Sequence, residues 1–195
     1  MIKINYFGHS YFLIEGDSYS IALDPFKNVG LKEVKVKADY IFCSHEHFDH
    51  NNRALVNYKS EVTIGSNFKI IKTFHDQNLG ALRGLNNALI FVLDGVKFCF
   101  LGDIGERLNK EIINVNDVDV LLIPIGSVYT IDSKGAIEYI NAIKPKTVIP
   151  MHYKIKGSKI DIEDISNFKN KIVEYKETNS PYAYNKEDKC VIINL

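Results

Sequence analysis

The run His45-Glu46-His47-Phe48-Asp49-His50 holds three of the chain's six histidines and an aspartate, directly after the apolar stretch Tyr40-Ile41-Phe42-Cys43. The apolar stretch reads as a buried strand. Three imidazoles and a carboxylate in one tight turn make a poor core, because each is costly to bury without a partner. They make a good metal grip, since neutral imidazole nitrogen and carboxylate oxygen are ligands that zinc accepts. The fold must therefore bring this strand end to further ligands from distant segments.

The remaining candidates sit in similar places. His75 follows Phe68–Phe74, Asp103 follows Phe98-Cys99-Phe100-Leu101-Gly102, and His152 follows Thr147-Val148-Ile149-Pro150-Met151. Loops at strand ends are where α/β proteins build sites. Ile2–Phe7, Tyr11–Glu15 and Tyr19–Leu23 read as strands, with Gly16-Asp17-Ser18 as a hairpin turn. Asn51–Tyr58 is expected as a short helix, followed by strands Val62–Ile64 and Phe68–Phe74. Leu89–Leu93 and Val96–Leu101 form a hairpin about Asp94-Gly95, a strong turn signal. Beyond it helices (Leu108–Val115, Lys134–Ile143, Ile162–Lys169) alternate with strands (Val120–Ile123, Thr147–Ile149, Val191–Ile193). No linker, repeat or low-complexity stretch interrupts the pattern. One domain over residues 1–195 is expected, built as two packed sheets with helices outside.

Spacing divides the ligands into two sets. In an extended segment residues two apart point the same way, so His45 and His47 grip one ion while Glu46 points off. His75 completes a three-histidine set with an open position for water. Asp49 and His50 turn toward a second ion with His152, and Asp103 has two carboxylate oxygens with which to bridge the pair. Two divalent ions, most simply Zn2+ with Mn2+ or iron as alternatives, would share a hydroxide that is nucleophilic near neutral pH. Asp49 is then the expected proton acceptor. A helical His-Glu-x-x-His reading fails, because Asp49 stands where the second histidine belongs and the preceding residues are strand-like.

These residues resemble the metallo-β-lactamase superfamily. Ser44-His45-Glu46-His47-Phe48-Asp49-His50 matches its HxHxDH motif, Gly102-Asp103-Ile104-Gly105 resembles its bridging-aspartate turn, and Pro150-Met151-His152-Tyr153 its final metal histidine. Gly8-His9-Ser10, Leu23-Asp24-Pro25 and Pro124-Ile125-Gly126 resemble the branch containing L-ascorbate-6-phosphate lactonase-like proteins. The likeness runs from about Gly8 to Tyr153, with Ile104 where the family often carries threonine. It implies an α/β fold (α+β in some schemes), a four-layer αββα sandwich with a dinuclear site at one edge of the sheets. It further implies that Asp24 braces the histidine turn.

His9 ends the first strand near this site but falls outside both ligand sets. It reads either as a catalytic residue, through substrate contact or a hydrogen bond to a ligand, or as a hydrogen-bonded loop histidine. Arg83, Arg107, Lys154 and Lys156 are candidate holders of an anionic substrate, though scattered cations are commonly solvated surface. The 24 basic and 24 acidic residues cancel, which disfavours nucleic acid as a partner and leaves a small-molecule substrate. A phosphodiesterase or nuclease would require a clustered basic surface, and a metal-binding protein without turnover would share the same ligands. No apolar run is long enough to span a bilayer, and the N-terminus lacks the apolar segment of a signal peptide. Cys43, Cys99 and Cys190 are odd in number and set among apolar residues, as expected of buried thiols in the cytoplasm. Nothing in the sequence specifies an oligomeric state.

Overall fold

The computed structural model describes residues 1–65 and 67–195. Its first sheet contains β1 (Lys3–Tyr6), β2 (Phe12–Glu15), β3 (Ser20–Leu23), β4 (Val36–Phe42), β5 (Val56–Glu61) and the late strand β12 (Tyr182–Ala183), in the order β12-β1-β2-β3-β4-β5. The second contains β6 (Phe68–Phe74), β7 (Leu85–Leu93), β8 (Val96–Phe100), β9 (Val120–Pro124) and β10 (Thr147–Met151), in the order β10-β9-β8-β7-β6. A parallel pair, β11 (Lys176–Asn179) with β13 (Val191–Asn194), lies beside β10. Among the described residues three α-helices complete the fold: α1 (Lys110–Ile113), α2 (Ser133–Ile143) and α3 (Ser166–Lys169).

Local chemistry accounts for the regular parts. Asp94 and Gly95 both take positive φ, 48° and 80°, the two-residue turn whose twist matches a hairpin. Helix α2 starts where the Asp132 carboxylate accepts from Gly135 N at 2.8 Å. It buries Ala136, Tyr139 and Ile143, a stripe with helical spacing, and stops at Lys144 in the left-handed conformation. The two sheets share one apolar core, in which Phe12, Phe42, Phe91, Phe98 and Phe100 are buried. Against the outer face of the first sheet pack Phe26 and Val29 from the loop after β3, and Leu55 from a single 3-10 turn.

Several expected elements change. Asn51–Tyr58 is not a helix: only Arg53–Leu55 turns, and Val56–Glu61 pairs in parallel with β4 as an edge strand. Val56 and Tyr58 suit a pleated surface, and sheet pairing overrides a weak helical pattern. The strand expected at Val62–Ile64 lies one step late. Val62 N still donates to Ile41 O, whereas Ile64 has left the sheet and is exposed. The helices expected at Leu108–Val115 and Ile162–Lys169 shrink to four residues each. Strands β11 and β12 were not expected at all; they are short and polar, so alternation does not reveal them.

Pairing directions place the site. β1 and β3 are both antiparallel to β2, and β3 and β4 are parallel. β6 and β8 are both antiparallel to β7, and β8, β9 and β10 are parallel. Within each sheet, then, the strands that precede candidate residues point the same way, and their ends gather at one edge.

Candidate metal centre

The centre is built on a buried carboxylate. Asp24, just past β3, accepts from Ser44 N at 2.7 Å and from Ser44 Oγ at 2.6 Å, which ties it to the turn after β4. Its Oδ2 also lies 2.7 Å from His50 Nδ1. With the serine hydroxyl donating to Asp24, His45 Nδ1–H donates to Ser44 Oγ at 2.9 Å. One carboxylate thus makes Nδ1 the donor on both His45 and His50, so that each neutral ring presents Nε2 to the centre. Such outer hydrogen bonds are how proteins orient ligating histidines.

Around this brace the donors fall into two main groups. His45, His47 and His75 form one, and His9, Asp49, His50 and His152 form the other, each with its donor atoms within 4.8 Å of one another. Asp103 joins them: its Oδ2 lies 3.1 Å from His50 Nε2, 3.1 Å from His152 Nε2 and 3.3 Å from His75 Nε2. Asp24, His45 and His50 form a third grouping, but the hydrogen bonds just described account for it. All residues singled out in the sequence as ligands lie together. His9, left outside both sets by the sequence, has its Nε2 3.2 Å from Asp49 Oδ2 and 3.2 Å from His50 Nε2.

Backbone conformation holds these side chains. His9, Asp24 and His152 take φ of 55°, 44° and 52°, an unfavourable region for residues with a side chain and one found where sites impose it. His152 N donates to His9 O at 2.7 Å, which links the two sheets at the site. At Gly105 an added Cβ would fall 2.5 Å from the carbonyl carbon and oxygen of His75, so no side chain fits where these two loops cross. Buried Asn86 accepts from Asp103 N at 2.9 Å and donates to Leu101 O and Thr73 Oγ1, while Asn87 Nδ2 donates to Ser44 O at 2.8 Å. The sequence reading missed these amides. Two consecutive amides in an otherwise apolar strand were their signal.

Burial and neighbouring charge set the protonation states. Burial holds His45 down to about 2, with His50 adding to the effect. His9 falls to about 3 through burial and the nearby His152 ring. Burial opposes charge on His50, yet Asp103 and Asp24 outweigh it and hold its pKa well above the usual value. Burial likewise opposes charge on Asp103, but His152 and His50 keep its carboxyl well below the usual range. His45 Nε2 and Asp103 Oδ1 are buried with no hydrogen-bond partner among the described residues. An unpartnered imidazole lone pair on neutral His45 and an unpartnered oxygen on ionised Asp103 fit a divalent cation.

The centre opens into a cleft of about 450 Å³ reached by His47, Asp49, His75 and Asp103. Phe48, Tyr129 and Ile160 form its apolar walls, and Arg83 and Lys159 bring positive charge. Of the other expected anion holders, Arg107 is paired with Glu138 at 2.7 Å, Lys154 donates to Ile160 O, and Lys156 is exposed outside the cleft. Tyr129 carried no sequence signal.

Two packed sheets with a histidine and aspartate centre at one edge define a metal-binding α/β sandwich. A family model described as "Beta-lactamase superfamily domain" matches residues 3–152. A UPF0173 metal-dependent hydrolase of Archaeoglobus fulgidus is 32% identical over 194 residues, covering 78% of this chain and 83% of the relative. The crystal structure of a Thermotoga maritima protein, a candidate Zn-dependent hydrolase of the metallo-β-lactamase superfamily, superposes with a TM-score of 0.80 at 30% identity, over 99% of this chain and 98% of that one. Igni18, a metallo hydrolase from Ignicoccus hospitalis, shares the fold with a TM-score of 0.65 at 24% identity, over 87% of this chain and 89% of its own. The chain belongs to the metallo-β-lactamase superfamily and, within it, to the UPF0173 metal-dependent hydrolases.

Proposed function

We propose that this hydrolase works through a dinuclear centre on a small ester, lactone, amide or phosphoester. His45, His47 and His75 would hold one ion, Asp49, His50 and His152 the other, and Asp103 would bridge them. Zinc suits this donor set, with manganese or iron as the alternatives. The observation that carries the reading is Asp103 Oδ2, which lies 3.1–3.3 Å from histidines of both groups. Bound ions would supply Lewis acidity, lowering the pKa of water and stabilising charge that develops on the substrate oxygen.

The chain's own residues supply the rest. Asp49 is half-buried at the cleft with a depressed pKa, ionised and placed to accept a proton. His9 Nε2–H donates to Asp49 Oδ2 and fixes which oxygen faces the cleft. A cleft of about 450 Å³ matches a small-molecule pocket, and a lactone as in the ascorbate-6-phosphate lactonase-like branch belongs to the candidate set. No described helix is long and apolar enough to cross a membrane, and the three cysteines are free; we assign the protein to the reducing cytoplasm. Elemental analysis after separate reconstitution with zinc, manganese and iron tests the centre. Two equivalents per chain and hydrolysis of an activated ester are expected, and metal content near zero with all three would overturn it.

A further inference from the structure

Arg83 stands apart from the chain's two other arginines. Arg53 is engaged by Glu46 and Glu61, and Arg107 by Glu138. Arg83 forms no ion pair among the described residues; its guanidinium carbon lies 5.3 Å from the centroid of the Tyr129 ring. It is half-buried and lines the cleft over the centre as well as an adjoining cavity of about 490 Å³. An arginine carries five N–H donors in a planar fork, and no carboxylate among the described residues takes them up here.

The position is built rather than incidental. Asp76 follows the ligand His75, is buried, and accepts from the backbone N–H groups of Asn78, Gly80, Leu82 and Arg83 at 2.7, 3.1, 3.0 and 2.8 Å. These four bonds tie the Arg83 loop to the segment that delivers His75. Tyr129 then braces the guanidinium from the opposite loop by cation–π contact.

We propose that Arg83 is the binding group for an anion on the substrate, a carboxylate or phosphate, held beside the bond that the metal centre cleaves. This rests on the hydrolase reading above. Phe48, Tyr129 and Ile160 give the same cleft apolar walls, so the anion is carried on an apolar or aromatic body. Lys159 adds a second positive charge to the same cleft.

With three arginines in the chain, their side-chain Nε–Hε resonances are readily followed in zinc-loaded protein. Benzoate and phenyl phosphate serve as probes, and loss of one resonance in Arg83→Lys assigns it. Saturable movement of the Arg83 resonance alone is expected, and the tighter probe identifies carboxylate or phosphate as the preferred group. No movement, or equal movement of all three resonances, overturns the proposal. A kinetic arm compares para-nitrophenyl butyrate with para-nitrophenyl hemisuccinate. In Arg83→Gln the ratio of kcat/KM for the anionic over the neutral ester should fall about 10- to 100-fold, mainly through KM, as loss of a charged hydrogen bond implies. A ratio unchanged within about twofold counts against Arg83. If the wild type hydrolyses neither ester, the hydrolase reading fails for this substrate class and the resonances alone decide the fate of Arg83.

Discussion

The two donor groups draw on the same six-residue turn yet meet water differently. In the first, His45 and His75 are buried and His47 is exposed; in the second, His9, His50 and His152 are buried and Asp49 is half-open. Asp24 grips both from behind, directly at His50 Nδ1 (2.7 Å) and through Ser44 Oγ at His45. The fold thus turns one imidazole out to the cleft and holds His45, His50, His75 and His152 against the buried carboxylates Asp24 and Asp103. An open member gives substrate access, and a locked set holds geometry; a catalytic centre needs both.

The sharpest way to break this contrast is at the residue common to both groups. Asp103→Ala should empty both positions and lower turnover on the order of 10³-fold or more, as loss of several kcal/mol of metal-borne stabilisation implies. His47→Ala should instead remove about one equivalent and leave the buried group loaded. Metal analysis of the two variants side by side checks this. Equal metal content in both would mean that the groups do not differ as their burial suggests.

Protonation sharpens the same comparison. With Asp24 and Asp103 holding the His50 pKa well above its usual value, the metal-free ring is charged at neutral pH, whereas His45, held down to about 2, is neutral. A ligand must be neutral, so loading should release protons at pH 7, chiefly from His50, with His75, which Asp103 also raises, adding to it. The release should fade as pH rises through the raised His50 value, because the proton has then already left. Calorimetric titrations with zinc in buffers of different ionisation enthalpy measure it. Buffer-independent heats at neutral pH would contradict the charge on His50.

A smaller effect is expected one bond further out. Asp24→Asn keeps the shape but removes the charge facing His50 and the acceptor for Ser44 Oγ, which aligns His45. Metal affinity should weaken about 10- to 100-fold, with the fold retained. Competition with a chromogenic chelator reads this directly.

What was legible in the sequence follows the same division. His45, His47, Asp49 and His50 declared themselves because four donors in one turn have no economical place in a core. His75, Asp103 and His152 were legible as candidates because each follows an apolar strand, and the fold brings them to the same edge. The two-sheet architecture was readable from the Asp94-Gly95 hairpin and the later helix–strand alternation. The misses were of another kind. The strand at Val56–Glu61 depends on pairing with β4, a long-range partner that no local window contains. Asn86 and Tyr129 acquire roles only when separate loops meet, and the positive φ of His9, Asp24 and His152 is imposed by the assembled edge. Arg83 was one of four candidate anion holders in the sequence, and only the pairing of Arg53 and Arg107 in the fold sets it apart.

His9 tests the contrast most gently. By sequence it was outside the ligand sets; in the fold its Nε2 lies 3.2 Å from both Asp49 Oδ2 and His50 Nε2. Its pKa of about 3 makes the ring neutral at working pH, so one nitrogen carries a proton to donate and the other does not. Donation to Asp49 would align that carboxylate without requiring His9 to hold metal. His9→Ala should then cost turnover about 10-fold, at the lower end of what outer hydrogen bonds contribute, with metal content falling less than in Asp103→Ala. His9→Gln, which retains an N–H donor on a side chain of similar reach, should recover part of the loss. The pairing of kinetics with metal analysis separates the roles. If His9→Ala loses an ion as completely as Asp103→Ala, and His9→Gln rescues nothing, His9 is itself a ligand. The buried group would then hold its ion with three histidines and Asp49, sealed on the side away from the cleft.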